Sequence, residues 1–169
     1  SMQLHVDSDA AFLVLPNARS RIAGYFQFPH RSTTDIAHPN GAILIECKTL
    51  RHVVSSAAEA ETGALFHNAQ TVLPIRNILH AFKHTQHPTP IRTDNTTALG
   101  FTYNNIQMKR SKSWDMRFHW LRDIINQQQF KIYWDKGSNN NADYSTKDFP
   151  IKYHKTIRPR YVKDKSSTS

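Results

Sequence analysis

The sequence predicts an α/β protein in which a mixed sheet of about five strands is flanked by helices. Three observations carry this. The chain up to Thr49 reads as strands and turns. After Ser55 the apolar period lengthens from two to nearly four. Beyond His87, short strand patterns alternate with helical ones, the succession that parallel pairing requires.

Each element has its own signal. Leu4 and Val6 alternate with His5 and Asp7 in a first strand that we read as ending at Asp7. Asn17 to Ser20 is a turn, and Arg21 to Phe28 a second strand. Pro39-Asn40-Gly41 is a turn signal before a third strand, Ala42 to Thr49. Ser56, with Glu59 three residues later, forms a capping-box pattern that opens a helix running towards Gln70. Pro74 is read as the start of a second helix through Ile75, Ile78, Leu79 and Phe82. His87-Pro88-Thr89-Pro90 breaks it, and Ile91 to Thr93 is a short strand ending at Asp94. Thr96 to Leu99 can begin a helix. Met116, Trp120 and Ile124, each one helical turn apart, mark another amphipathic helix. Phe130, Ile132 and Trp134 form a fifth strand, and Ala142 to Lys147 a short helix. The domain is assigned to residues 1–157, and residues 158–169 are read as an irregular or disordered basic tail.

The 169 residues suit one domain with a core of its own. Ser1 before Met2 is read as a cloning scar on a fragment of a longer protein. The single cysteine, Cys47, excludes an internal disulfide framework and is read as a small buried strand residue. No apolar run reaches the roughly 18 residues of a membrane span, so no membrane partner is expected. There is no Gly-rich phosphate loop and no Gly-x-Ser-x-Gly elbow. His80, His84 and His87 have part of a metal-ligand spacing but no Cys or acid nearby, and suit a helix end better. The net charge is +9. Residues 1–104 hold 8 Lys/Arg and 7 Asp/Glu, whereas residues 105–169 hold 14 and 6, so the excess is +1 against +8. A polyanionic partner for the second half follows.

Only 13 acids exist in this basic chain, and four stand where a sheet would gather them. Asp7 ends the first strand and Asp94 the fourth. Glu61 lies in the first helix, and Asp143 opens the short helix after the fifth strand. Sites collect at the carboxyl ends of parallel strands. Carboxylates crowded in one hollow repel each other unless cations neutralise them. Hard oxygen donors suit Mg²⁺ or Mn²⁺, and two such ions clamp an in-line phosphoryl hydrolysis. Asp9 competes with Asp7 for the first place, and Glu59 with Glu61 for the second. Two residues apart on a helix are about 200° apart, so only one glutamate can face the site.

In order and spacing, several segments resemble a ribonuclease H domain of the copia-type retrotransposon polyproteins. They are His5-Val6-Asp7-Ser8-Asp9, Ser55-Ser56-Ala57-Ala58-Glu59-Ala60-Glu61, Thr93-Asp94-Asn95-Thr96-Thr97-Ala98-Leu99, Asp115 to Asp123, and Asn141-Ala142-Asp143-Tyr144-Ser145-Thr146-Lys147. The resemblance implies a ribonuclease H-like fold and an Asp, Glu, Asp, Asp quartet that binds two Mg²⁺ ions, with Mn²⁺ as the alternative. Carried over by position, the quartet is Asp7, Glu61, Asp94 and Asp143. It further implies an endonuclease that hydrolyses the RNA strand of RNA/DNA hybrids beside a reverse transcriptase domain of the parent polyprotein. The expected setting is the cytoplasm, in element particles, or the nucleus, and the isolated domain is expected to be a monomer. The other reading is a non-catalytic hybrid-binding or connection-like module with the same fold. Many members of the family carry a His in the loop after the last strand, where this chain has Asp135.

Substrate contacts are expected from Ser55, Ser56, Asn95 and Thr96, beside the acids, where an RNA/DNA hybrid offers 2′-hydroxyls. The basic run containing Lys109, Arg110 and Lys112 is expected to meet phosphates.

Overall fold

The computed structural model describes residues 2–29, 41–103 and 112–162. It has one five-stranded sheet in the order β3-β2-β1-β4-β5. The strands are β1 (His5–Leu15), β2 (Arg19–Gln27), β3 (Ala42–Thr49), β4 (Thr89–Thr93) and β5 (Phe130–Trp134). β1, β2 and β3 pair antiparallel as a meander, while β4 is parallel to both β1 and β5. The predicted mixed sheet is therefore present, and the two parallel pairings place the ends of β1, β4 and β5 along one edge.

β1 is longer than the sequence reading allowed. It continues through Ala10, Ala11 and Phe12 to Leu15 instead of stopping at Asp7. Those apolar residues are as strand-compatible as the ones before Asp7, and β2 pairs with β1 as far as Leu15↔Arg19. This extension decides which aspartate reaches the site.

Helix α1 (Ala57–Ala81) is a single helix. Pro74 lies inside it and does not begin a second one; the missing N–H removes one hydrogen bond, and the packed face on both sides of it holds the helix together. That face carries Ala60, Ala64, Leu65, Asn68, Ala69, Val72, Arg76 and Leu79, all buried at helical spacing. α1 and α3 (Lys112–Asn126) cover one face of the sheet. The core between them joins Val6, Phe26, Leu65, Val72, Ile91, Leu121, Phe130 and Ile132. α2 (Thr96–Thr102) follows β4 directly.

The opposite face is covered by α4 (Asp143–Thr146) and α5 (Ile151–Tyr161), where Ala23, Tyr25 and Ala142 pack with Tyr161. α5 continues four residues into the stretch read as an irregular tail. It has no buried residue, so no apolar periodicity announces it. Its attachment is through ring edges and polar groups: Tyr161 packs against Tyr25 and donates its hydroxyl to the Asn141 carbonyl at 2.8 Å. Cys47 is exposed and not buried as expected; it faces outward on edge strand β3, with Sγ 3.1 Å from the Ser145 carbonyl. Among the described residues, no helix is long and apolar enough to cross a membrane.

Candidate active site

The β1–β4 register places the acids. Asp7 pairs with Arg92, so two residues further along both chains Asp9 meets Asp94. Alternation along a strand puts Asp7 and Asp9 on the same face, and depth along the strand separates their roles. Asp9, Glu61 and Asp94 each bring an oxygen within 4.8 Å of the others. Asp7, the first acid of the expected quartet, is not in this group: it lies one step below it, level with a cation, and the β1 acid that joins Glu61 and Asp94 is Asp9. The apolar run after Asp9 was the signal that β1 extends that far.

Glu61 reaches the cluster from the first turns of α1. Ser56 caps that helix by accepting from the Glu59 N–H at 3.2 Å, and Glu59 returns its carboxylate to the Ser55 N–H at 2.7 Å. Glu59 is thereby committed to the cap, and Glu61 faces inward. Its Oε1 accepts from the Ala10 N–H at 3.2 Å, while its buried Oε2 has no hydrogen-bond partner. Burial and the charges of Asp9 and Asp94 raise the Glu61 pKa well above its ordinary value.

Asp9 is only 1% exposed. Burial pushes its pKa up to about 6, against a hydrogen bond from the Thr146 hydroxyl and the charge of Lys147, and Asp143 and Asp94 push it further. Asp94 follows β4, and its backbone carbonyl accepts from the Trp134 indole N–H at 2.9 Å. Across the site, Gly137 comes so near that a Cβ there would lie 2.7 Å from Asp94 Oδ2. The turn Gly137–Asn139 therefore forms one wall.

Asp143 lies outside the three-acid group but within its electrostatic reach, since it contributes to the rise at Asp9. Its carboxylate is held by the ammonium of Lys147, one helical turn on. Burial opposes the Lys147 charge, but the bond to Asp143 and the charges of Asp9 and Asp94 outweigh it and raise its pKa. Lys147 is a site residue that the sequence reading did not single out.

Asp7 is fully buried. Its Oδ2 accepts from the backbone N–H and the side-chain amide of Asn141, at 3.1 and 2.6 Å. Its Oδ1 faces Arg92 Nε at 3.3 Å in a charge contact without hydrogen-bond alignment. Asp135 accepts from Asn139 and lies 3.6 Å from Arg92.

Of the expected substrate contacts, Ser56 and Asn95 spend their side chains as helix caps, Asn95 by accepting from Ala98 N–H at 2.9 Å. Ser55 and Thr96 are exposed beside them. Lys109 and Arg110 lie outside the described residues, as does the side chain of Lys112. A basic cleft that the sequence reading missed opens between β3, α1 and α3. It measures about 380 Å³ and is lined in part by Lys48, Arg51, His52, His67 and Arg117. Folding brings His67 and Arg117 to the sequence-local group Lys48, Arg51 and His52.

The chemistry of the donor set fits a hard divalent cation. All donors are carboxylate oxygens, the nearby Lys147 only partly offsets their mutual repulsion, and a buried Glu61 oxygen stands without a partner.

No protein-family model matches the chain. The fold is that of the ribonucleases H. The crystal structure of LC11-RNase H1 in complex with an RNA/DNA hybrid superposes with a TM-score of 0.59 at 10% identity, over 84% of this chain and 92% of that one. RNase H1 from the halophilic archaeon Halobacterium salinarum NRC-1 gives 0.55 at 14% identity, over 85% and 93%. In sequence, the chain is 26% identical over 110 residues to the retrovirus-related Pol polyprotein from transposon TNT 1-94 of Nicotiana tabacum. That match covers 65% of this chain and 8% of the polyprotein, so the chain corresponds to a small part of its relative. The fold and this relationship together support the resemblance to a ribonuclease H domain of a retrotransposon polyprotein.

Proposed function

We propose that this domain hydrolyses the RNA strand of RNA/DNA hybrids with two Mg²⁺ ions, in a polyprotein that also carries a reverse transcriptase. The observation that carries the reading is the convergence of Asp9, Glu61 and Asp94 with a buried, unpartnered Glu61 oxygen. Such a carboxylate is costly to bury without a counter-charge. Asp9, Glu61 and Asp94 would hold the cations, with Asp143 completing the set once released from Lys147. When bound, the cations supply a nucleophile at neutral pH and neutralise charge at the cleaved phosphate.

The chain's own residues do the rest. The Thr146 hydroxyl and the Ala10 N–H fix the orientation of Asp9 and Glu61. The Gly137 turn leaves no room for Asp94 to swing towards it. Lys147 partly neutralises the acids before cations arrive. Ser55 and Thr96, exposed beside the acids, would meet a minor-groove 2′-hydroxyl and so tell RNA from DNA. The basic cleft suits phosphates of the bound duplex, a contact that positions without reading sequence. Products would carry 5′-phosphate and 3′-hydroxyl ends, as the family resemblance implies.

The experiment compares end-labelled RNA/DNA hybrid, double-stranded RNA and double-stranded DNA, each with Mg²⁺ and with a chelator. Cleavage of the RNA strand of the hybrid alone, lost with the chelator, is the expected result. Mg²⁺-dependent cleavage of double-stranded DNA would contradict the substrate assignment.

A further inference from the structure

The carboxylate of Asp7 has a task that the three-acid cluster does not account for. It is buried beside that cluster yet spends its acceptors on the approach to α4. Oδ2 takes both the backbone N–H and the side-chain amide of Asn141, and Oδ1 faces Arg92. Asn141 is two residues before Asp143, and α4 begins at Asp143 with no side-chain cap. Something other than a cap must therefore fix where that helix starts.

Two neighbouring bonds tie down the same stretch. Asn140 donates to the Ser8 carbonyl at 2.8 Å, and its own side-chain oxygen accepts from the Ala142 N–H at 3.0 Å. Thr146, at the far end of α4, donates to Asp9. β1 thus grips α4 at both ends, through Asp7 before Asp143 and through Asp9 after it. Arg92 supports the first grip: its guanidinium faces Asp7, donates to the Asn139 carbonyl and lies near Asp135.

We propose that Asp7 is a positioning residue for the fourth carboxylate: through Asn141 it sets where α4 begins and so holds Asp143 at the rim of the Asp9–Glu61–Asp94 cluster. Residues that orient ligands tune metal affinity without touching the metal. The inference rests on the metal-binding reading of that cluster. It assigns Asp7 a role distinct from ligation.

The test is a Mg²⁺ titration of wild type, Asp7→Ala, Asn141→Ala, the double variant and Asp9→Asn. It is read by thermal stabilisation and by hybrid cleavage. Asp7→Ala and Asn141→Ala are each expected to raise the Mg²⁺ concentration for half-maximal effect on the order of tenfold. The rate at saturating Mg²⁺ should stay close to wild type, and the double variant should be no worse than the weaker single one. Asp9→Asn should abolish the Mg²⁺ response. If Asp7→Ala does not fold, Asn141→Ala leaves the Asp7–Arg92 pair in place and carries the same expectation. Unchanged Mg²⁺ dependence in the folded variants would overturn the proposal alone. So would loss of the response in Asp7→Ala as complete as in Asp9→Asn, which would make Asp7 a ligand. No Mg²⁺ effect in the wild type would overturn the metal reading and this proposal with it.

Discussion

Asp7 and Arg92 face each other across the parallel β1–β4 pairing, with Oδ1 and Nε 3.3 Å apart. Asp7 is fully buried, and burial works against the Arg92 charge, which Asp7 and the Tyr133 hydroxyl sustain. Removing one partner of such a pair strands the other. Arg92→Met is expected to lower the unfolding free energy by about 3 kcal/mol in a denaturant titration. Adding Asp7→Asn should recover part of that loss. If the double variant is destabilised by the sum of the two singles, the two side chains are not coupled.

Gly137 stands against Asp94, with no room for a Cβ. The atom in the way is the end of a side chain, so Gly137→Ala costs little stability, roughly 1 kcal/mol. Its effect falls on the site, because the Asp94 carboxylate must turn away. Mg²⁺ affinity is expected to drop about tenfold by calorimetric titration. Unchanged affinity would show that Asp94 does not need its present orientation.

Gly24 has the opposite character. A Cβ there would lie 2.3 Å from Asn68 Oδ1 and 2.7 Å from the Phe26 ring. Asn68 is buried and donates to the Ser8 hydroxyl and the Ala23 carbonyl, both at 2.9 Å. Gly24→Ala must break this bridge between α1 and the sheet, at a cost of about 3 kcal/mol in overpacking and unsatisfied groups. Thermal unfolding would show the loss, and a second change, Asn68→Ala, should not add its full single-variant cost.

Lys147 holds Asp143 and lies within reach of Asp9 and Asp94. An arriving cation competes with this ammonium for the same carboxylates. Lys147→Met should therefore show a larger Mg²⁺-induced rise in unfolding temperature than the wild type. An equal or smaller rise would mean that Lys147 does not compete with the metal.

The parts of the structure legible in the sequence are those where local pattern and tertiary packing agree. β3 has the predicted bounds because its turn signal and its run of apolar residues coincide. The Ser56–Glu59 cap and the Thr96 helix start are likewise local chemistry. The cap also separates the two glutamates, since Glu59 serves it and Glu61, two residues on, turns towards Asp9 and Asp94. Between Asp7 and Asp9 the local pattern does not decide; the β1–β4 register, with Ala10 to Leu15 continuing the strand, brings Asp9 level with Asp94. Pro74 has the local look of a helix start, since proline suits the first turn, but the buried stripe on both sides of it keeps it inside one helix. α5 shows no pattern, since it buries none of its residues. The basic cleft gathers residues from three elements, which no linear reading could join.

In the function we propose, Asp9, Glu61 and Asp94 together form a metal-dependent centre that cuts hybrid RNA. The most direct measurement is the rate of Mg²⁺-dependent RNA cleavage in a labelled RNA/DNA hybrid by wild type, Asp9→Asn and Asp94→Asn, each shown to be folded. The account predicts RNA cleavage by the wild type and a loss of at least about a hundredfold, roughly 2.7 kcal/mol of barrier, in both variants. Cleavage by Asp9→Asn at the wild-type rate, or no wild-type cleavage above either variant, would contradict it.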